Sequence, residues 1–159
     1  MSAGATTILF LFLVASVSPI HAAVQQKAPA FSERDLEGYL QSTSKYAGKP
    51  LVLYFWATWC PACVNEVKKI KKIWQNYHSK GIHFVSVSLD EDKDKLEKFI
   101  EEKDIRYPVL FDGTGWKNEI VKKYSVVSTP TFVLIGADGN IQTSGGGINA
   151  LEKELKKLV

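Results

Sequence analysis

Apolar and polar positions alternate along the chain in two distinct periods, and the switches between them outline its elements. Leu51 to Ala57 (LVLYFWA) is a continuous apolar run rich in β-branched and aromatic residues, the pattern of a strand buried on both faces. From Pro61 the period becomes helical. Cys63, Val67, Ile70, Trp74 and Tyr77 form a stripe for the core, while Lys68, Lys69, Lys71 and Lys72 fill the positions between. This predicts a helix from Pro61 to about Ser79, stopped by Gly81. Ile82 to Leu89 then reads as a second central strand, ending in Asp90, and Lys93 to Lys103 as an amphipathic helix with Leu96, Phe99 and Ile100 inward.

The pattern continues with a short strand at Tyr107 to Phe111 and a helix at Trp116 to Tyr124. A strand at Thr131 to Ile135 turns through Ala137-Asp138-Gly139-Asn140 into another at Ile141 to Ser144. Gly145-Gly146-Gly147 predicts a bend, and Asn149 a cap for a closing helix, Ala150 to Val159, with Leu151, Leu155 and Leu158 inward. Upstream, Gly48-Lys49-Pro50 is a turn that launches the buried strand, and the fragments Ala28 to Ser32 and Leu36 to Gly38 predict a small N-terminal hairpin or edge element. Strands alternating with helices at this spacing imply an α/β domain with a central mixed β-sheet and helices on both faces.

Composition narrows the class. With 159 residues, 45% hydrophobic and 23% charged, the chain suits one globular domain and is not collagen-like, coiled-coil or disordered. A net charge of +3, with lysines interleaved among acidic residues, gives no support for nucleic-acid binding. The N-terminus stands apart: Ile8 to Val17 (ILFLFLVASV) is apolar and is followed by Pro19 and the small residues Ala22 and Ala23. Residues 1–22 read as a secretory signal, which leaves residues 23–159 as the domain. No Lys or Arg precedes the run, and Gly4 to Val24 is uncharged over about 20 residues, so an uncleaved anchor is the rival reading. Both deliver the domain to an oxidising, extracytoplasmic compartment.

The chain has two cysteines, Cys60 and Cys63, placed where the buried strand hands over to the helix. Cys60 is then the N-cap and Pro61 the first helical residue, where a missing N–H costs nothing. The Cys60 sulfur faces the N–H groups of Ala62 and Cys63 and the positive end of the helix dipole, which favour thiolate over thiol. Cys60 is therefore the candidate attacking sulfur and Cys63, one turn on, the resolving one. Two other uses compete. A structural staple would close too short a loop to remove much unfolded-state entropy. Half of a zinc site would need further ligands, and His78 and His83, which read as structural, form no ligand pattern with the pair.

With these residues in view, the order of elements around Trp59-Cys60-Pro61-Ala62-Cys63 resembles the thioredoxin fold, and more closely the TlpA/ResA-like extracytoplasmic thiol-disulfide oxidoreductases. Phe55-Trp56-Ala57-Thr58-Trp59-Cys60-Pro61-Ala62-Cys63, Thr129-Pro130-Thr131-Phe132 and the inserted helix and strand between Asp90 and Asp112 carry the likeness. It covers about Ala28 to Val159. The resemblance implies a cis-proline at Pro130, with Trp59, Thr129 and Pro130 facing the substrate. The buried acid of thioredoxin aligns with Tyr54, and its helix-kinking proline with Lys68. Glu66 instead resembles the Cys-x-x-Cys-x-x-Glu acid of ResA-like proteins and is the candidate for proton transfer to Cys63, unless it is a surface residue paired with Lys69.

The implied activity is reduction of protein disulfides through a Cys60/Cys63 dithiol. The implied partners are a protein disulfide, with apocytochrome c as the family's example, and a membrane thiol-disulfide electron donor. No cofactor or metal is called for, and a monomer is expected. A disulfide-forming oxidant and a copper-binding or metallochaperone role for the dithiol are the alternatives.

Overall fold

The computed structural model describes residues 26–145 and 147–159, together with Met1. The signal or anchor reading of residues 1–22 falls on residues outside this set, apart from Met1. Among the described residues, no helix is long and apolar enough to cross a membrane.

A two-stranded antiparallel hairpin leads the fold, β1 (Ser32–Arg34) and β2 (Leu40–Ser42). The fragment Leu36 to Gly38, expected as part of a small hairpin or edge element, lies in its turn. Asp35 dictates this: its carboxylate accepts the N–H groups of Glu37 (3.1 Å) and Tyr39 (2.8 Å) and the Gln41 side-chain amide (2.7 Å). Gly38 completes the turn at φ +88°, a conformation that favours glycine.

The remaining strands form one mixed sheet. β3 (Leu51–Trp56), β4 (His83–Ser88), β5 (Val109–Leu110), β6 (Thr131–Ile135) and β7 (Ile141–Ser144) lie in the order β5-β4-β3-β6-β7. The β3–β4 and β4–β5 pairs are parallel, and β3–β6 and β6–β7 antiparallel. All six residues of the central β3 are buried, as its unbroken apolar run predicts. Alternate β3 side chains point to opposite faces. On one face, Trp56 meets Phe99 of α2 (Lys93–Lys103), with ring centroids 5.7 Å apart. On the other, Phe55 meets Tyr124 at 6.0 Å, at the end of α3 (Glu119–Lys123). The fold is thus the expected thioredoxin-like α/β arrangement, with α2 and β5 as the inserted helix and strand.

α1 (Pro61–His78) buries Cys63, Val67, Ile70, Ile73 and Tyr77 and packs on β4 and on α4 (Ile148–Leu155). Trp74, predicted to face the core, is only half-buried; its ring lies against His78 (5.7 Å) and Tyr107 (6.1 Å) while Ile73 takes the inward position. The closing helix begins earlier than predicted, with Gly147 rather than Asn149 as its N-cap. Its buried stripe, Ile148, Leu151 and Leu155, is complete in two turns, so Leu158 lies exposed beyond it. The Asn149 side chain instead accepts the Lys69 ammonium.

The predicted strand at Tyr107 to Phe111 shrinks to Val109–Leu110, and the predicted helix over Trp116 to Tyr124 is broken in two. A 3-10 turn, Gly115–Lys117, precedes α3, and Asn118 separates them. Its buried side-chain oxygen caps α3 by accepting the N–H groups of Ile120 (2.8 Å) and Val121 (3.1 Å), which a residue inside a continuous helix cannot do. Asn118→Ala is expected to destabilise the folded protein by about 1–2 kcal/mol through loss of this cap, measured by denaturant unfolding with the cysteines kept in one redox state.

Candidate active site

The carboxyl ends of the parallel strands β3, β4 and β5 and the start of the antiparallel β6 share one edge of the sheet. Register fixes this, since Trp56 pairs with Ser88, Val87 with Leu110 and Phe55 with Thr131. The loops that follow β3, β4 and β5, and the one that precedes β6, therefore converge at the kind of sheet edge where α/β proteins bind ligands.

Cys60 lies in the first of these loops and caps α1 from an extended conformation (φ −89°, ψ 108°), with Pro61 entering the helix. Its Sγ accepts the Cys63 N–H at 3.2 Å, and no acidic residue occupies the first helical turn to oppose a negative charge there. Cys60 and Cys63 are joined as a disulfide, their Cα atoms 5.3 Å apart. Burial distinguishes the two: Cys60 retains 4% of its surface and Cys63 none. The first sulfur is thus the one a partner can reach.

At the same sheet edge, the Thr129–Pro130 peptide bond is cis. Thr129 and Pro130 are half-buried, in the loop that leads into β6 beside the end of β3. Trp59 stands out from the surface, 53% exposed, and its ring is 6.4 Å from that of Trp116, which is 44% exposed.

Glu66 is half-buried one turn beyond Cys63. Burial pushes its carboxyl above the usual carboxylate range, and the Lys69 ammonium pulls the other way. Lys69 itself pairs with Glu152 at 3.6 Å and with Asn149, so the surface pairing considered for Glu66 is not the one formed. Glu66 Oε2 is buried without a hydrogen-bond partner among the described residues, and so are the hydroxyls of Tyr54 and Tyr107. Burial holds the Tyr54 phenol protonated, and a negative charge on Glu66 acts in the same direction. Tyr54 thus replaces the buried acid of thioredoxin with a neutral hydroxyl, and the titratable carboxyl near it belongs to α1.

One member of the site carries no motif signature. Asp90, 3% exposed at the end of β4, accepts the Thr58 N–H (3.0 Å), the Thr58 hydroxyl (2.5 Å) and the Ser88 hydroxyl (2.8 Å). It ties the segment just before Trp59-Cys60 to the neighbouring strand. A buried acid directly after a central strand is the signal that points to it, but the partner Thr58 is distant in sequence. Trp116 carries no motif signature either: in the sequence it begins a segment of helical spacing that the fold breaks.

The family model for AhpC/TSA proteins matches residues 24–144, most of the chain. The chain belongs to the AhpC/TSA family. Within it, the chain is 33% identical over 138 residues to the thiol-disulfide oxidoreductase ResA of Bacillus thuringiensis subsp. konkukian, covering 85% of this chain and 78% of that protein. It is 32% identical to ResA of Geobacillus thermodenitrificans over 146 residues, covering 86% and 82%. A thiol-disulfide oxidoreductase from Bacteroides fragilis superposes with a TM-score of 0.77 at 28% identity, covering 84% of this chain and all of that one. This AhpC/TSA protein is accordingly a ResA-like thiol-disulfide oxidoreductase of the thioredoxin superfamily.

Such exchange needs a sulfur held at a fixed angle, and the Asp90 network is what anchors the chain before it. Asp90→Ala would leave the buried Ser88 hydroxyl and the Thr58 N–H without their acceptor. The expected cost is about 2–4 kcal/mol of stability, with a change in tryptophan emission from Trp59 and Trp116, measured by fluorescence-monitored denaturation.

Proposed function

We propose that the chain reduces protein disulfides outside the cytoplasm, with Cys60 as the nucleophile and Cys63 as the resolving thiol. The observation that carries this reading is the asymmetry of the pair: one sulfur is reachable and capped onto a helix N-terminus, the other fully enclosed one turn behind. In the reduced protein, the Cys60 thiolate attacks one sulfur of the substrate disulfide and expels the other as a thiolate. Cys63 then loses its proton and attacks Cys60, so that the Cys60–Cys63 bond forms and the second substrate thiolate leaves. The protein is oxidised and the substrate reduced by two electrons. A membrane thiol-disulfide donor restores the dithiol.

Trp59, Thr129 and Pro130 present the face against which the substrate chain lies. Glu66 takes the Cys63 proton. Its supports are its position one turn from Cys63, its half-buried carboxyl and the unpartnered Oε2. Delivery outside the cytoplasm follows from the apolar Ile8 to Val17 run, and apocytochrome c is the substrate class the ResA likeness suggests.

The direction of electron flow is tested by the reduction potential of the pair. A value near or below about −270 mV is expected, and one near about −120 mV would make the chain an oxidant instead. Nucleophile identity is tested by incubating the reduced chain with a disulfide-bonded protein. Cys63→Ala should accumulate a mixed disulfide on Cys60, and Cys60→Ala should not; equal trapping by the two variants overturns the assignment.

Glu66 predicts a pH signature. Only the carboxylate can accept the Cys63 proton, and burial raises the pH at which the carboxyl ionises. Resolution of the mixed disulfide should therefore slow as pH falls through a value above the ordinary carboxylate range. Glu66→Gln should abolish that inflection and slow resolution about 100-fold on its upper side, followed by stopped-flow tryptophan fluorescence between about pH 4 and pH 8.

A further inference from the structure

Trp59 and Trp116 leave large apolar rings in water, and the fold holds them there. Trp59 follows Thr58, which is fastened to Asp90 through its N–H and its hydroxyl. Trp116 follows Gly115, a buried residue at φ +58° in the 3-10 turn. A Cβ added at Gly115 would lie 2.9 Å from Glu91 Oε1 and 3.4 Å from the Leu89 carbonyl, so this turn is pressed against the loop that carries Asp90. Two segments far apart in sequence thus rest on one support, and their rings stand 6.4 Å apart at 50°. On the β6 side of the same sheet edge, Val127 precedes the cis-proline loop and is 87% exposed.

Exchange at Cys60 requires a partner sulfur in contact with the sulfur of a residue that is only 4% exposed. A polypeptide that brings its sulfur there must lay neighbouring residues beside Cys60, where Trp59, next to it in the chain, and Trp116, paired with Trp59, offer apolar surface. The occupant that matches is an apolar side chain carried next to the reacting cysteine. We propose that Trp116 joins Trp59 in a two-ring docking surface that selects protein disulfides with an apolar residue adjacent to the cysteine. This rests on the reading of Cys60 as the attacking sulfur and deepens it by naming the substrate feature recognised.

The test uses the full reduced chain and three disulfides: two symmetrical octapeptide disulfides, identical except for Leu or Ser after the cysteine, and hydroxyethyl disulfide, too small to reach the two rings. The wild-type chain is expected to reduce the Leu peptide about ten-fold faster than the Ser peptide. Trp116→Ala should lower the rate on the Leu peptide several-fold more than on hydroxyethyl disulfide, bringing the two peptides to within about two-fold of each other. Trp116→Phe, which keeps a ring, should retain most of the preference. Equal wild-type rates on the two peptides overturn the inference, with or without a folded Trp116→Ala protein, and so does an equal loss on all three substrates. Reduction of none of them by the wild-type chain would instead remove the exchange reading, and the docking surface with it.

Discussion

Complete burial of β3 is the constraint on which the rest of this molecule depends. Its six residues are enclosed by β4 on one side, β6 on the other and helices on both faces. A strand so enclosed cannot shift by one residue without exchanging Tyr54 and Trp56 for Phe55 across the sheet. Whatever follows Trp56 is therefore delivered to a fixed place. The chain spends only Ala57, Thr58 and Trp59 before Cys60, and Thr58 is bound to the adjacent strand end through Asp90. The cysteine position is set by the sheet rather than by the flexibility of a loop.

Electrostatics around the pair follows from the same geometry. Starting a helix at a strand end places unpaired N–H groups where a sulfur can meet them, and Pro61 gives up one donor that has no partner to lose. Beneath this, the sheet presents Tyr54 rather than an acid. A phenol kept neutral by burial cannot carry a proton away near neutrality, whereas Glu66, one turn beyond Cys63, is half-buried and carries a carboxyl. The carboxyl proposed to serve the pair thus stands on the helix rather than in the sheet, half-buried instead of enclosed.

Much of this was legible in the sequence because the signals were local. The apolar run of β3, the bounds of α2, the turn between β6 and β7, and the Cys-Pro-Ala-Cys cap each involve residues a few positions apart. The family likeness added the Thr129–Pro130 geometry, which no periodicity reveals. What escaped depends on distant partners. Asp90 acquires its meaning from Thr58, and Gly115 from Glu91 and Leu89. Asn118 breaks a segment whose apolar spacing is helical, because a buried side-chain oxygen competes for the N–H groups that define the next helix. The closing helix starts before Asn149 for a similar reason, since the Asn149 side chain binds Lys69 of α1 instead of its own backbone.

The enclosure of Cys63 also sets the traffic through the molecule. If Cys60 alone meets partners, as proposed, then whatever gives electrons to the pair and whatever takes them would use the same narrow doorway. The two cannot be seated at once. On that reading turnover would alternate strictly between partners, a ping-pong cycle in which an excess of either one delays the other. A single narrow entrance would thereby suit the protein to shuttle between successive encounters rather than to hold donor and acceptor together.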